Sequence, residues 1–500
     1  MAVAATRRGL WLAGLFLALV FGSAHVGSNT VFFEGTAGPY PIRVIIHPPK
    51  VIPGLADIVV RVKGGGADAV TVQPFRWDAG PAGAPRPDPA MPVAGDPELH
   101  SAQLWIMTSG AYSVHVAVTG PRGSGTAIVP LNAVRTDVLE MRRPRAVLLL
   151  GMGLLLLIGA VTIVGAAVRE SVLPPGEAPS PRRGRTAAIA MAGSSVLLVA
   201  AGYGGKLWWD RERRAALQDV FTSLAVETSV SAAPDGRILT LEITDPAWRN
   251  RQRAPLVPDH GKLMHLFAVR DDFGAFGHLH PVPVDSNAFR VRLPAELPSG
   301  RYRVYADIVD ETGFAQTLAD TTDIPAPAAT RVRPGDPDDS WVVGTPAIAT
   351  PRVRRTADTL RDGSVITWIA EASPRVGRES TLRFRVTGPD GRPARLEPYT
   401  GMASHAAVSR NDGTVFVHLH PNGSISPAAL QTFALRTPAD TMRGALGRRM
   451  SGMPFMYMAH QTVGDVEFPF AFPQSGTYRM WVQVKRAGAI HTGTFDIVVP

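Results

Sequence analysis

Five hundred residues, 45% of them hydrophobic, with 49 Gly and 44 Pro, give a length suited to about three domains and a composition suited to turn-rich globular structure. The absence of cysteine excludes disulfides, zinc fingers and iron–sulfur clusters, and leaves imidazole, carboxylate, thioether and backbone groups for any metal. The net charge of +9 comes mostly from Arg scattered through strand-like segments, without a basic block interleaved with aromatics, so no nucleic-acid partner is expected.

Residues 1–24 read as a signal peptide: a basic start, the apolar run in "LWLAGLFLALVFG", and Gly22-Ser23-Ala24 as a small-residue cleavage site. Cleavage after Ala24 would leave His25 first, able to chelate Cu(II) through its amino group and ring with one further imidazole from His47, His100 or His115. Residues 25–140 carry short alternating strands, "YPIRVIIH", "ADIVVRV" and "YSVHVAVTG", which predict an extracytoplasmic β-sandwich. The Pro-rich "WDAGPAGAPRPDPAMPVAGDPE" predicts a long surface loop.

Residues 147–168 contain no charge and are long enough for a transmembrane helix. Residues 187–205, followed by Lys206, Trp208 and Trp209 as interfacial anchors, predict a second. The segment between them, 169–186, holds Arg169, Arg182, Arg183 and Arg185 and suits a cytoplasmic loop. With an exported N-terminus, such a hairpin places the N-terminal and C-terminal domains together on the periplasmic or outer face of the inner membrane. Beyond it, "DRERRAALQDVFTSLAVE" reads as a short helix.

Two further sandwiches are expected at 218–326 and 360–500, joined by a Pro- and Asp-rich linker at 327–359. They are internal repeats. "MHLFAVRDDFGAFGHLHP" aligns without a gap to "SHAAVSRNDGTVFVHLHP", and "LPSGRYRVYADI" aligns to "FPQSGTYRMWVQV". His280 to Gly300 is 20 positions whereas His420 to Gly476 is 56, so the second copy carries an insertion. The fold class is therefore mainly β: three immunoglobulin-like sandwiches with a two-helix transmembrane hairpin.

The repeated His-Leu-His-Pro carries the functional expectation. Asp412-Gly413 is a strong hairpin signal, and a two-residue turn there pairs residues whose numbers sum to 825, setting His405 opposite His420 with His418 on the same face. The first copy has the same arithmetic at 545, setting His265 opposite His280 with His278 beside them. Opposed residues have Cβ atoms about 5 Å apart, so three imidazoles converge closely enough to share one metal. Further candidate ligands are Met450, Met453, Met456, Met458 and His460 in the insertion, His491 on the last hairpin, and His260 beside His265. Imidazole with thioether suits Cu(I), and three imidazoles suit Cu(II) or zinc.

"MHLFAVRDDFGAFGHLHP" with "LPSGRYRVYADI" resembles the extracytoplasmic immunoglobulin-like modules of the YtkA/FixH kind over residues 259–324 and, more loosely, 400–500. The N-terminal region, with "AHV" at the export junction, is weakly similar to copper-resistance proteins of the CopC and YcnI type. The resemblance implies copper or heavy-metal binding at His265, His278, His280, His405, His418 and His420; it does not imply a catalytic activity. The leading expectation is thus a membrane-anchored copper protein that sequesters the metal or passes it through exposed ligands to an efflux or cofactor-assembly partner. Alternatives are a sandwich module binding protein or glycan, although Trp341, Trp368 and Trp481 are too scattered for a sugar platform, and a copper oxidase or monooxygenase; the chain has no nucleophile elbow, phosphate loop or HExxH.

Overall fold

The computed structural model describes residues 30–500 except 81–82, 171, 175, 235, 328–334, 345, 347–355, 370–373, 438–439, 441–442, 452 and 454–461. The signal-peptide reading and His25, Met456, Met458 and His460 lie outside the described residues. The chain forms two compact units, residues 135–221 and the remainder.

The larger unit is mainly β. Its N-terminal sandwich faces a sheet ordered Val31–Ala37, Tyr40–His47, Gly54–Val62, Asp96–Ile106, Met91–Val93 against one ordered Asp88–Pro89, Ala69–Arg76, Gly110–Gly120, Gly123–Ala133. Alternation builds the core: Ile42, Val44 and Ile46 point inward against Val114, Val116 and Val118. The Pro-rich segment is not wholly loop. Asp88–Pro89 and Met91–Val93 sit at sheet edges, where a proline lacking its N–H costs no ladder bond.

Each repeat is a second pair of sheets. In the first, Val226–Ala233, Gly236–Ile243, Ala288–Leu293 and Val282–Pro283 face a sheet in which His265–Arg270 lies between Gly300–Asp310 and Ala275–Leu279. In the second, Ala357–Thr359, Val365–Ile369, Ser380–Thr387 and Asp465–Phe470 face a sheet ordered Phe416–Leu419, His405–Arg410, Gly476–Arg486, Ala489–Val499. The expected linker is partly structured. Ser340–Val343 adds an antiparallel strand to Ala275–Leu279, with His278 opposite Ser340. The insertion supplies helices Pro427–Leu435 and Ala445–Ser451.

The hairpin registers hold the expected sums, with a corrected turn. Leu266 pairs with Leu279 and Ala406 with Leu419, but each connection is a four-residue loop, closed by Phe273 N–H on Arg270 O at 2.7 Å and Gly413 N–H on Arg410 O at 2.8 Å. A longer loop about the same centre leaves the pairing unchanged. It needs a left-handed residue, which Gly413 supplies at φ 75° and Phe273, against its preference, at φ 61°.

The two sandwiches meet face to face through these hairpins. Trp481 of the second stacks on Phe276 of the first at 4.6 Å, and Tyr305 of the first stacks on Phe416 of the second at 4.1 Å. Arg479 donates to Phe273 O at 2.7 Å and Arg303 to Asn411 O at 3.2 Å. These reciprocal contacts describe a quasi-two-fold interface. The N-terminal sandwich braces the second copy: Glu34 N–H donates to Asn422 O at 2.9 Å and Ser424 N–H to Phe32 O at 3.0 Å.

The smaller unit contains helices Arg143–Glu170 and Pro181–Gln218, both long and apolar enough to cross a membrane. They pack closely, since a Cβ on Gly165 would meet Met191 Sδ at 2.5 Å. "DRERRAALQ" is no separate helix; these good helix formers continue the second helix to Gln218, which runs unbroken through Gly202, Gly204 and Gly205. Phe221 N–H donates to Arg135 O at 2.8 Å, so the chain enters and leaves this unit at one place.

Candidate metal centre

Strand alternation and the quasi-two-fold interface together bring seven of the thirteen histidines into one buried cluster. Within the first copy the rings of His265 and His280 lie 5.1 Å apart and those of His278 and His280 4.8 Å apart. Within the second, His405 and His420 are 5.1 Å apart and His418 and His420 4.4 Å apart. One nitrogen from each of His265, His278 and His280 falls within 4.8 Å of the others, and the same is true of His405, His418 and His420.

Hydrogen bonds fix which nitrogens face inward. His265 Nε2 lies 3.1 Å from the carbonyl of Asp259 and must carry the proton, leaving Nδ1 as a lone pair. His278 Nδ1 faces Gln483 Oε1 at 2.9 Å, and also Tyr399 Oη at 3.2 Å, whose own proton goes to Asp338 O at 2.9 Å; Nδ1 is therefore the donor and Nε2 the lone pair. Those two lone pairs, His265 Nδ1 and His278 Nε2, face each other at 3.1 Å.

The second copy repeats the arrangement. His405 Nε2 donates to Tyr399 O at 3.1 Å and to Thr400 Oγ1 at 2.7 Å, the threonine proton being given to Tyr399 O at 2.9 Å. His418 Nδ1 donates to the Asp307 carboxylate at 3.2 Å. With both rings in the neutral form that binds a metal, His405 Nδ1 and His418 Nε2 face each other as lone pairs at 3.0 Å. His280 donates Nδ1–H to Asp339 at 3.0 Å, leaving a buried Nε2 without a partner, and both ring nitrogens of His420 are buried and unpartnered.

Opposed lone pairs repel unless a cation lies between them. Two nitrogens 3.0–3.1 Å apart, each about 2.0–2.1 Å from one metal, subtend an angle of about 90–100°, between square and tetrahedral coordination. Burial, and secondarily the neighbouring imidazoles, hold His260, His265, His278, His405 and His420 well below the usual imidazole range, in the neutral form that binds metals. Carboxylates and carbonyls on the outer nitrogens orient these ligands and raise their basicity.

Of the other expected ligands, His260 joins the cluster, its ring 5.4 Å from those of both His405 and His420. Met450 is buried in a small apolar cluster with Val257, Ala429 and Leu446, as core filling. Met453 is 45% exposed. His491 lies on another face, lining a cleft with Trp341 and Thr494, its Nδ1 3.9 Å from Asp362. His47, His100 and His115 belong to the N-terminal sandwich: His47 pairs with Asp57, His100 with Val60, and His115 with Gln73. The six histidines of the two sets, expected as exposed ligands, instead have buried side chains.

Asp307, Gln483, Asp339, Tyr399 and Thr400 were not singled out by the sequence reading. Asp307 and Gln483 each lie seven positions after the Gly of the aligned "SGRY" and "SGTY" landmarks, so the repeat carries a signal for that pair. Asp339 lies in the segment read as linker.

Residues 358–500 match the model of a domain of unknown function, DUF8832. No curated protein matches the chain. Solved structures with a similar trace include the FN1–FN3 domains of chicken CNTN1, at 9% identity with 91% of this chain and 97% of that one covered and a TM-score of 0.13. Red sea bream transglutaminase gives 10% identity, 58% and 33% coverage and a TM-score of 0.14. An endo-fucoidan hydrolase of glycoside hydrolase family 107 gives 7%, 91% and 43%, and 0.16. At these TM-scores the likenesses carry no argument about function.

Proposed function

We propose that this protein is a membrane-attached, extracytoplasmic metal-binding protein that holds copper in the histidine cluster between its two repeats. The observation that carries the reading is the pair of opposed imidazole lone pairs at 3.1 Å and 3.0 Å, each oriented by an outer acceptor. An all-nitrogen donor set favours copper over zinc in the order of divalent affinities, and zinc is the alternative occupant. Burial of the ligands makes exchange slow, which favours sequestration over rapid transfer to an efflux or assembly partner.

The same compact unit supports the proposed membrane topology. Hydrogen bonds between Glu34 and Asn422 and between Ser424 and Phe32 join the N-terminal and last sandwiches, which supports a two-helix hairpin that returns the chain to the same side of the membrane. The basic start and apolar run of residues 1–24 support an extracytoplasmic assignment of that side.

The test is copper titration of the full chain in detergent, beside a variant with His265, His278, His280, His405, His418 and His420 changed to Ala. Tight binding that disappears in a variant with an unchanged circular dichroism spectrum is expected. No binding by the natural sequence, or equal binding by both, overturns the reading. Zinc competition then decides the metal.

A further inference from the structure

The two repeats could hold metals independently, as duplicated modules at a distance would. Their rings are placed otherwise. Across the interface, His278 lies 5.5 Å from His418 and 6.0 Å from His405, and His265 lies 5.7 Å from His418. These separations match those inside each copy, where His265 and His278 are 5.4 Å apart and His405 and His418 5.3 Å apart. The aromatic stacks of Trp481 on Phe276 and Tyr305 on Phe416 hold the two hairpins at this spacing.

We infer that the two three-histidine sets are halves of one binuclear centre, holding two copper ions close enough to interact. The inference rests on the metal-binding reading above and adds stoichiometry and coupling to it. Each ion is seated by one facing pair, His265 Nδ1 with His278 Nε2 or His405 Nδ1 with His418 Nε2. His280 Nε2 completes the first set and His420 the second, their unpartnered nitrogens being buried in the same cluster. Each set contains three imidazoles, which leaves further coordination positions on each ion, as two-metal sites do.

Two features fit a pair of cations better than one. His260 stands at the seam, its ring 5.9 Å from His265 on one side and 5.4 Å from His405 on the other. Negative charge is supplied on both sides, by Asp339 bonded to His280 and Asp307 bonded to His418. A single ion shared by all six rings would leave one facing pair of lone pairs uncompensated.

The experiment is electron paramagnetic resonance of the full chain in detergent during Cu(II) titration. Two equivalents are expected to bind. The first gives a mononuclear Cu(II) spectrum; the second broadens or quenches it and brings a half-field transition, the signature of two spins a few ångströms apart. A spectrum that doubles with unchanged line shape overturns the inference while leaving copper binding intact, and so does saturation at one equivalent. No binding at all overturns both readings together. The variant His405→Gln/His418→Gln, folded by circular dichroism, is expected to bind one equivalent with a mononuclear spectrum and no half-field signal; because the natural chain supplies the primary readout, the inference stays testable if that variant misfolds.

Discussion

The two repeats share their inner geometry and differ in what surrounds it. Asp259-His260-Gly261 of the first aligns with Tyr399-Thr400-Gly401 of the second, and in both the residue before the glycine is left-handed, at φ 50° and 45°. In both, the carbonyl of the first residue accepts from the same ligand imidazole, at 3.1 Å from His265 and from His405. The outer partners have diverged: His418 leans on a carboxylate, Asp307, where His278 leans on an amide, Gln483. The inner lone-pair pairs tolerate no change of position, whereas their supports need only accept a proton. Divergence is concentrated in the supports.

The interface that joins the copies is itself unequal, and breaking it gives the largest expected effect. Trp481 is fully buried against Phe273 and Phe276, while its counterpart Tyr305 keeps its hydroxyl on Gly413 O at 3.3 Å. Trp481→Ala removes the larger apolar surface and leaves a cavity, costing about 3–5 kcal/mol. Chemical denaturation is expected to show that loss, with Tyr305→Ala costing less. Equal or smaller loss at Trp481 would mean that the stack does not hold the copies together.

The copies also differ in how their His-Leu-His-Pro turns are anchored. After His420 the chain turns at Gly423, φ 114°, where a Cβ would meet Phe32 O at 1.9 Å. Gly423→Ala therefore must open the bridge to the N-terminal sandwich, at a cost of about 1–3 kcal/mol. Limited proteolysis is expected to free residues 30–134 more readily in that variant. In the supports, Asp307→Asn keeps the shape but removes the charge on His418, and is expected to weaken copper at the second set about 10–100-fold. Gln483→Glu should strengthen the first set, and a copper titration of both variants reads the pair.

Acid acts on both copies together. The folded-state affinities of His260, His265, His278, His405 and His420 for a proton are depressed, chiefly by burial. Below the unfolded value of about 6.5 the unfolded chain binds more protons than the folded one. The stability these groups contribute is thus complete above about pH 6.5 and is lost as pH falls towards their folded values, by up to about 1.4 kcal/mol per pH unit for each residue titrating. Melting of the metal-free protein between pH 8 and 5 is expected to show this decline, and copper should reduce it.

The hairpins were legible because strand alternation and a loop centre set register: a four-residue loop at Asp412-Gly413 places His405 opposite His420 as a two-residue turn does. The convergence of the two copies was not legible. It depends on Phe276, Phe416, Tyr305 and Trp481 facing across a domain boundary, and no local period in the sequence reports that. Asp339 was hidden for a different reason. A Pro- and Asp-rich segment reads as linker, although its Asp339 accepts from both the backbone and the ring of His280. The Met-rich stretch misled in part, since thioether density does not distinguish a ligand from core filling, and Met450 packs with Leu446 and Ala429.

The smallest expected effect concerns the one place where the copies differ inside the cluster. His260 occupies the position of Thr400, whose hydroxyl accepts from His405 Nε2 at 2.7 Å. His260→Thr makes the first copy like the second at this position: a threonine there is placed to accept from His265 Nε2 as Thr400 does from its partner, and the left-handed backbone is already tolerated by the sister residue at φ 45°. Six imidazoles remain. Copper stoichiometry is therefore expected to stay unchanged, with affinity shifted only a few-fold, because no facing pair has lost a nitrogen. Loss of an equivalent in this variant would make His260 a ligand in its own right, and the near-symmetry of the two sets would no longer describe how the metals are held.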